Sequence, residues 1–362
     1  MEYFNLETVV NPFAKEKTQS DLIRAEKEYQ DTNTVPILKL DKDLKLIDSP
    51  GNYQLGKKLG LKIMKGFRHR IYGDSPTFPL RLNIETTTVC NSKCRICSRT
   101  KKRRPDVHLS FKDFKHIIDQ TQNHYLIELY LYRLGEPFLN PELRQMLNYL
   151  NGFDNFEYIW ISSNGLELNN EHIEMLLNSN VTIFNMSING VDQKSFRSVN
   201  EVGLLENVEK NFINAIELKK RKGKRLPFMR AQMISQGNKN DDEKFLNKWA
   251  DKADIINVGM IEFGSSIEFN YNKALNQRSL AENVSIKICS KPGRYSFYLY
   301  NDGSVVPCMC DYNADFLNIG NWRNQSIEDI FNSEKYKSFL NIHFLGNKEK
   351  INFCSNCIDN YF

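Results

Sequence analysis

Between Leu80 and Phe263 the sequence alternates short apolar runs with amphipathic ones, and this rhythm constrains the fold more than any other feature. "LRLNIE" (80–85), "LIELYLY" (126–132), "FEYIWIS" (156–162), "VTIFNMSI" (181–188), "PFMRAQMI" (227–234) and "IINVGMIEF" (255–263) read as strands. Between them, "SFKDFKHIIDQT", "NPELRQMLNYL", "EHIEMLLN", "LLENVEKNFINAIELKKRK" and "DEKFLNKWA" read as helices. Ser110 is placed to cap the first, with Phe111, Phe114, Ile117 and Ile118 on one face, and Pro141 opens the second. Alternation of this kind gives a parallel sheet with right-handed crossovers. Six strands are too few to close an eight-fold barrel, so the expected fold is α/β, an open, partial (β/α)6 barrel. Its strand C-terminal ends would form the working face.

The flanks differ. Residues 1–79 read as an N-terminal extension, with a helix in "SDLIRAEKEYQ" (20–30) and a short hairpin in "PILKLDKDLKLID" (36–48). Lys57–Arg70 carries six Lys or Arg and no acid. It reads as a packing helix with a solvated basic face, or as a surface for acidic lipid or an anionic partner. After about residue 266 the alternation stops, and "SFYLYNDGSVVPCMCDY" reads as a hairpin turning at Asn301-Asp302-Gly303. The expected division is therefore 1–79, 80–265 and 266–362, the last a small C-terminal domain. No apolar run approaches the roughly 18 residues of a membrane span. The N-terminus has no basic start followed by an apolar core, so the chain reads as cytoplasmic. In that compartment its eight cysteines are metal ligands or core residues rather than disulfides. The net charge of +5 permits an anionic substrate and does not argue for nucleic acid.

Three of the cysteines, Cys90, Cys94 and Cys97, form C-x3-C-x2-C directly after the first expected strand. A structural zinc site normally closes with four ligands. A cubane iron–sulfur cluster wants one protein ligand per iron, so three thiolates leave one iron open. An open metal position is where substrate chemistry happens. The charge run "RTKKRRP" (99–105) behind the motif reads as a solvated loop, or as a contact for a substrate phosphate.

With Asn91 and Ile96, this triad resembles the signature of radical S-adenosylmethionine enzymes. "LGEP" (134–137), after the second strand, is similar to that family's Gly-Gly-Glu-Pro element, with Leu134 in place of the first glycine. "SSNG" (162–165) resembles its Thr-Asn-Gly, and "MSINGVD" (186–192) its Ser-x-Asp-Gly strand end, with Asn189 replacing the acid. Arg197 falls where the family often keeps an arginine for the cofactor's carboxylate. The resemblance implies that Cys90, Cys94 and Cys97 hold a [4Fe-4S] cluster. It implies that Gly135, Glu136, Pro137, Ser163, Asn164, Ser187 and Arg197 surround S-adenosylmethionine. In such enzymes the open iron chelates the cofactor, and one electron from an external donor such as flavodoxin or ferredoxin cleaves it. The resulting 5′-deoxyadenosyl radical abstracts hydrogen from substrate. A zinc or redox site is the competing reading of the triad.

The tail holds Cys289, Cys308, Cys310, Cys354 and Cys357. The C-x13-G-x4-C spacing through Gly303, the "IGNWRNQSIEDIFNSEKYKSFL" stretch and the closing C-x2-C resemble the auxiliary-cluster domain of SPASM and Twitch proteins. The resemblance implies one auxiliary [4Fe-4S] cluster, on the Twitch pattern, because the chain stops five residues after Cys357. Its ligands would be Cys289, Cys354, Cys357 and either Cys308 or Cys310, with the glycine spacing favouring Cys308. A structural zinc is the alternative for this set.

Three functions fit. The first is a radical oxidoreductase that oxidises a small molecule, such as a sugar or aminocyclitol alcohol, and passes an electron to the auxiliary cluster. The second is a peptide- or protein-modifying radical enzyme. The third is a non-catalytic zinc-binding protein. Spacing does not select the proton acceptor; Tyr130, Tyr132, Arg133, Arg230, Glu262 and Asp311 are all candidates.

Overall fold

The structure, a computed structural model, describes residues 39–40, 46–48, 76–259, 289, 291–355 and 357. The helix expected over 20–30, the basic stretch 57–70 and Glu262 lie outside them. The strands are β1 (Lys39–Leu40), β2 (Leu46–Asp48), β3 (Arg81–Ile84), β4 (Leu126–Tyr130), β5 (Phe156–Ser163) and β6 (Ile183–Ser187). They continue with β7 (Phe228–Ile234), β8 (Ile255–Gly259), β9 (Ser296–Leu299), β10 (Ser304–Val306) and β11 (Gly320–Asn321). All join one sheet in the order β1-β2-β8-β7-β6-β5-β4-β3-β9-β10-β11. The six expected strands, β3 to β8, are parallel neighbours in chain order. The chain thus has the open α/β barrel that its rhythm dictates.

Helices α1 (Phe111–Asp119), α2 (Leu143–Leu150), α3 (Asn170–Leu177), α5 (Leu205–Arg221) and α6 (Lys239–Trp249) fill the five expected positions. Ser110 caps α1 by accepting from the amide of Asp113 at 3.1 Å, while Phe114, Ile117 and Ile118 are buried. Each such burial contributes roughly 1.5–3 kcal/mol. A seven-residue helix, α4 (Gln193–Val199), was not read from periodicity. A capping box between Asp192 and Ser195 starts it.

The sheet has two chemically distinct faces. Leu129, Ile159, Ile161, Phe184, Met186 and Met229 pack with the helices into the main core. The alternate residues form a separate cluster of Tyr158, Trp160 and Ile183, flanked by Tyr130, Tyr132 and Phe228. Successive strand side chains point to opposite faces, so this second cluster lines the barrel's inner side.

Both edges extend the barrel. β2, antiparallel to β1 as the expected hairpin, pairs parallel with β8. The tail hairpin β9–β10 turns at Gly303, whose φ of +99° suits a residue without Cβ. It does not stand apart: β9 pairs parallel with β3, Arg81 opposite Ser296 through Ile84 opposite Leu299. Phe297 on β9 is fully buried under α7 (Ile327–Asn332) and α8 (Glu334–Phe344). Its ring lies 5.5 Å from Phe331 and 4.9 Å from Tyr336. α9 (Asn352–Ser355) closes the described chain. Among the described residues no helix is long and apolar enough to cross a membrane.

Candidate functional site

The loop that follows β3 is fixed before it reaches its first cysteine. Thr86, Thr87 and Thr88 are buried, and their hydroxyls bond the carbonyl of Leu131, the ring of His108 and the carbonyl of Pro105 at 3.1, 2.9 and 2.9 Å. Cys90, Cys94 and Cys97 then emerge half-exposed as free thiols. Cys90 Sγ accepts from the Ser92 amide at 3.4 Å, and Cys97 Sγ from the Arg99 amide at 3.4 Å. Cys94 Sγ donates to Asn200 Oδ1 at 2.9 Å, and the Arg95 amide donates to the Val199 carbonyl at 2.8 Å. The C-terminal end of α4 therefore clamps the middle of the cysteine loop. Asn200 has no local signature, because its partner lies 106 residues away.

The strand-end loops meet this one. The Glu136 amide donates to the Val89 carbonyl at 2.9 Å. Gly135 approaches so closely that a Cβ would stand 2.3 Å from the Thr87 carbonyl oxygen and 2.7 Å from that of Val89. The Glu136 carboxylate is buried and accepts from the Asn164 amide at 2.8 Å. Burial pushes its pKa up to about 7, against the hydrogen bonds from Asn164, Ser163 and Phe138. Asn164 Nδ2 bonds Asn91 Oδ1 at 2.8 Å and reaches Cys90 Sγ at 3.8 Å. Asn164 and Glu136 thus stand by Cys90, Gly135 packs on the Thr87 and Val89 carbonyls, Ser163 bonds the Glu136 carboxylate, and Pro137 is buried just beyond. Ser187 is half-exposed at the end of β6, its hydroxyl 3.5 Å from that of Ser162. Arg197 stands outside this set, exposed on α4 and donating to the Glu201 carbonyl.

Burial pushes the Cys94 thiol up to about 11, opposed by a hydrogen bond from Ser92, and neighbouring Cys97 and Cys90 raise it further. Cys90 is raised by burial first, then by Glu136 and Cys97, with Ser92 opposing. Charge gathered on three close thiolates calls for a cationic centre, and a metal inverts this pKa logic. Among the described residues no three His, Cys, Asp or Glu side chains converge tightly enough to hold a single metal ion. Three soft thiols on one loop, Cys90, Cys94 and Cys97, are nevertheless the donor set of a four-iron cubane that leaves one iron without a protein ligand.

The basic run 99–105 is only partly solvated: Arg103 is exposed, whereas Arg104 is buried. Arg104 is buried, grips Glu85 through both nitrogens and donates to the Tyr312 carbonyl at 3.1 Å. The Arg103 amide donates to Asn313 Oδ1 at 3.0 Å, and its side chain pairs with Asp315. Lys102 and Arg99 pair with Asp106. Through Arg103 and Arg104 the run fastens the cysteine loop to the tail, and Glu85, Asp106 and Asp315 pair with its charges.

The tail thiols form a second group. Cys310 is buried and takes hydrogen bonds from Cys308 and Cys357. Lys291 Nζ lies 3.6 Å from Cys310 Sγ. Together these hold the Cys310 thiol low in spite of its burial, whereas Cys308 is raised by the same hydrogen bond and by burial. Burial pushes Cys354 up to about 12, and Cys289 raises it further. Arg133, two residues before Gly135, donates to the carbonyl of Met309, between Cys308 and Cys310. Asp311 is committed to the amides of Asp315, Phe316 and Leu317 at 3.1, 2.9 and 2.6 Å.

Comparison with known proteins agrees with this geometry. The radical SAM superfamily model matches residues 84–247, and the SPASM iron–sulfur cluster-binding domain model matches 289–358. No curated protein matches the chain. Among solved structures, BtrN in complex with AdoMet and 2-DOIA is 18% identical, with a TM-score of 0.51 over 77% of this chain and 92% of that one. Streptococcus suis SuiB bound to S-adenosylmethionine is 14% identical, with a TM-score of 0.58 over 88% and 80%. AnSMEcpe with bound AdoMet is 17% identical, with a TM-score of 0.54 over 74% and 84%. At these identities the likeness is one of fold.

Proposed function

Because this chain belongs to the radical S-adenosylmethionine superfamily and carries a SPASM-type iron–sulfur domain, we propose that it oxidises a small molecule by hydrogen abstraction, with the auxiliary cluster as electron acceptor. Its cofactors are [4Fe-4S] clusters and S-adenosylmethionine. The supporting observation is the docking of the tail thiols on the barrel rim. Arg133 leaves β4 beside the Gly135 loop and holds Met309 between Cys308 and Cys310.

In this reading Cys90, Cys94 and Cys97 hold the first cluster. Gly135, Glu136, Pro137, Ser163, Asn164 and Ser187 orient the cofactor, with Arg197 swinging inward for its carboxylate. Cys289, Cys308, Cys354 and Cys357 hold the auxiliary cluster. Bound there, cluster and cofactor would supply the radical chemistry for hydrogen abstraction from substrate. The protein's part is to orient: the Gly135 backbone packs directly on the Thr87 and Val89 carbonyls and so fixes the Glu136 loop against the triad loop. The proposed units are an N-terminal extension (1–79), the barrel (80–265) and the auxiliary domain (266–362). A flavodoxin or ferredoxin would deliver the initiating electron.

The test is anaerobic reconstitution with iron and sulfide, wild type beside the Cys90/Cys94/Cys97→Ala variant. About eight irons in wild type and about four in the variant are expected, with 5′-deoxyadenosine released by wild type only. Zinc in the tail of both proteins would remove the electron-acceptor role and favour a redox-neutral reaction.

A further inference from the structure

Arg230, on β7, is half-buried on the inner face of the barrel, its guanidinium carbon 5.4 Å from the Trp160 ring centroid. That ring contact is its one interaction among the described residues; no acid or carbonyl takes its hydrogen bonds. Guanidinium groups near a protein interior normally find an anion. Here the inner acids already face other arginines, Glu128 through Oε2 to Arg81 and Glu85 to Arg104, while Glu128 Oε1 has no partner.

Beside it lies a second unused donor. Trp160 is 6% exposed, and its indole Nε1 has no hydrogen-bond partner. Tyr130 stacks on the same ring at 5.7 Å, tilted by 28°. Asn185 lies opposite Arg230 in the sheet register and is 2% exposed. Its Nδ2 is bound to Ser162 and Gln232 at 2.8 and 2.6 Å, but its Oδ1 is unpaired. Buried polar groups are rarely left without a partner; Trp160 Nε1 and Asn185 Oδ1, with Asn83 Oδ1 and Glu128 Oε1 on neighbouring strands, mark where a ligand completes the set.

The chemistry of these groups names the ligand. Arginine and indole N–H are donors only, so together they suit an acceptor-only group. A carboxylate fits, being planar, anionic and matched to the guanidinium fork. The stacked Tyr130 and Trp160 rings would cover an apolar or aromatic body next to it, and Asn185 Oδ1 would accept from a hydroxyl or ammonium. We propose that the inner face of the barrel is a carboxylate-binding substrate pocket, with Arg230 as its specificity-determining residue and Trp160 Nε1 as its second donor. This rests on the radical-enzyme reading above.

The test is calorimetric titration of the reconstituted full chain with benzoate, 3-phenylpropionate and indole-3-acetate, each against its neutral amide. Two tripeptides, Gly-Gly-Phe and Gly-Gly-Phe amide, form a separate arm. Wild type should bind at least one acid about ten- to a hundredfold more tightly than its amide. Arg230→Met, which keeps the stem against Trp160, should abolish that preference, and Arg230→Lys should restore part of it. A preference among the small acids assigns a free acid as substrate; a preference confined to the tripeptides assigns a peptide carboxylate. Equal binding of every acid and amide, or an unchanged preference in Arg230→Met, would overturn the pocket. Reductive cleavage of S-adenosylmethionine is followed in wild type alone. Its absence would defeat the proposed function, whereas its presence without acid preference would defeat only the carboxylate pocket.

Discussion

Arg104 closes a two-pronged pair on Glu85, Nη1 standing 2.6 Å from Oε2 and Nη2 2.8 Å from Oε1, with neither residue more than 9% exposed. The pair joins the end of the first barrel strand to the loop behind the cysteine triad. The same guanidinium lies 4.0 Å from the Tyr300 ring centroid and bonds the Tyr312 carbonyl. One side chain thus ties the barrel, the triad loop and the tail. Continuum electrostatics makes such a pair a weak source of net stability, but losing one partner leaves a buried charge uncompensated.

Arg104→Met should therefore destabilise the protein by about 3–5 kcal/mol. Arg104→Met combined with Glu85→Leu should recover much of the loss, because no bare carboxylate remains. Urea midpoints of the two variants and wild type measure this. Equal destabilisation of the single and double variants would show that Arg104 acts through Tyr300 and Tyr312 instead.

Gly135→Ala should disrupt the site without touching a cysteine. Its Cβ would meet two backbone carbonyls, at 2.3 and 2.7 Å, which cannot move aside as a side-chain end could. Overpacking of this kind costs about 1–3 kcal/mol, and here it pushes the Gly135 loop off the triad loop. Iron bound at the triad should fall. Gly152→Ala is the control, since its Cβ would meet only the Tyr149 carbonyl at an ordinary 3.6 Å.

The barrel was legible because its signal is local: six apolar runs and five amphipathic ones each announce their own element. The triad and its loops were legible for a similar reason, as residues such as Glu136 and Asn164 sit at strand ends where spacing locates them. What escaped is non-local. β9 reads as half a hairpin, and nothing in its sequence says that its other edge pairs with β3, more than 200 residues earlier. The run 99–105 reads as exposed charge because its partners, Glu85 and the 311–315 segment, are remote in sequence. Arg197 matched a family position, yet its side chain turns outward to Glu201. The unused donors Arg230 and Trp160 are ordinary strand residues until the folded sheet brings them together across β6.

His343 should give the tail domain an acid limit. It is 2% exposed with neither ring nitrogen bonded, and burial, aided by nearby Lys348, lowers its pKa to about 4. The unfolded chain, with a histidine pKa near 6.5, binds the proton more readily, so stability rises with pH across this window. The contribution is complete above about pH 6.5 and is lost as pH falls toward 4. His343→Phe, packed against Phe339, should flatten the dependence of the urea midpoint between pH 4.5 and 7. A variant as acid-sensitive as wild type would place the limit in another group.

Cys308 and Cys310 cannot both be the fourth thiolate of one cubane, and their surroundings differ enough for the choice to be measured. Cys310 faces Lys291 and receives hydrogen bonds from Cys308 and Cys357, which lower its pKa, whereas the same Cys308 hydrogen bond and burial raise that of Cys308. Cys308 follows the Gly303 turn at the spacing that the auxiliary-domain resemblance favours. Cys308→Ala should therefore reduce reconstituted iron from about eight to about four per chain, while Cys310→Ala keeps about eight. Iron counting with electron paramagnetic resonance of the reduced proteins checks both. The reverse pattern would make Cys310 the ligand and leave Cys308 as the thiol beside the cluster.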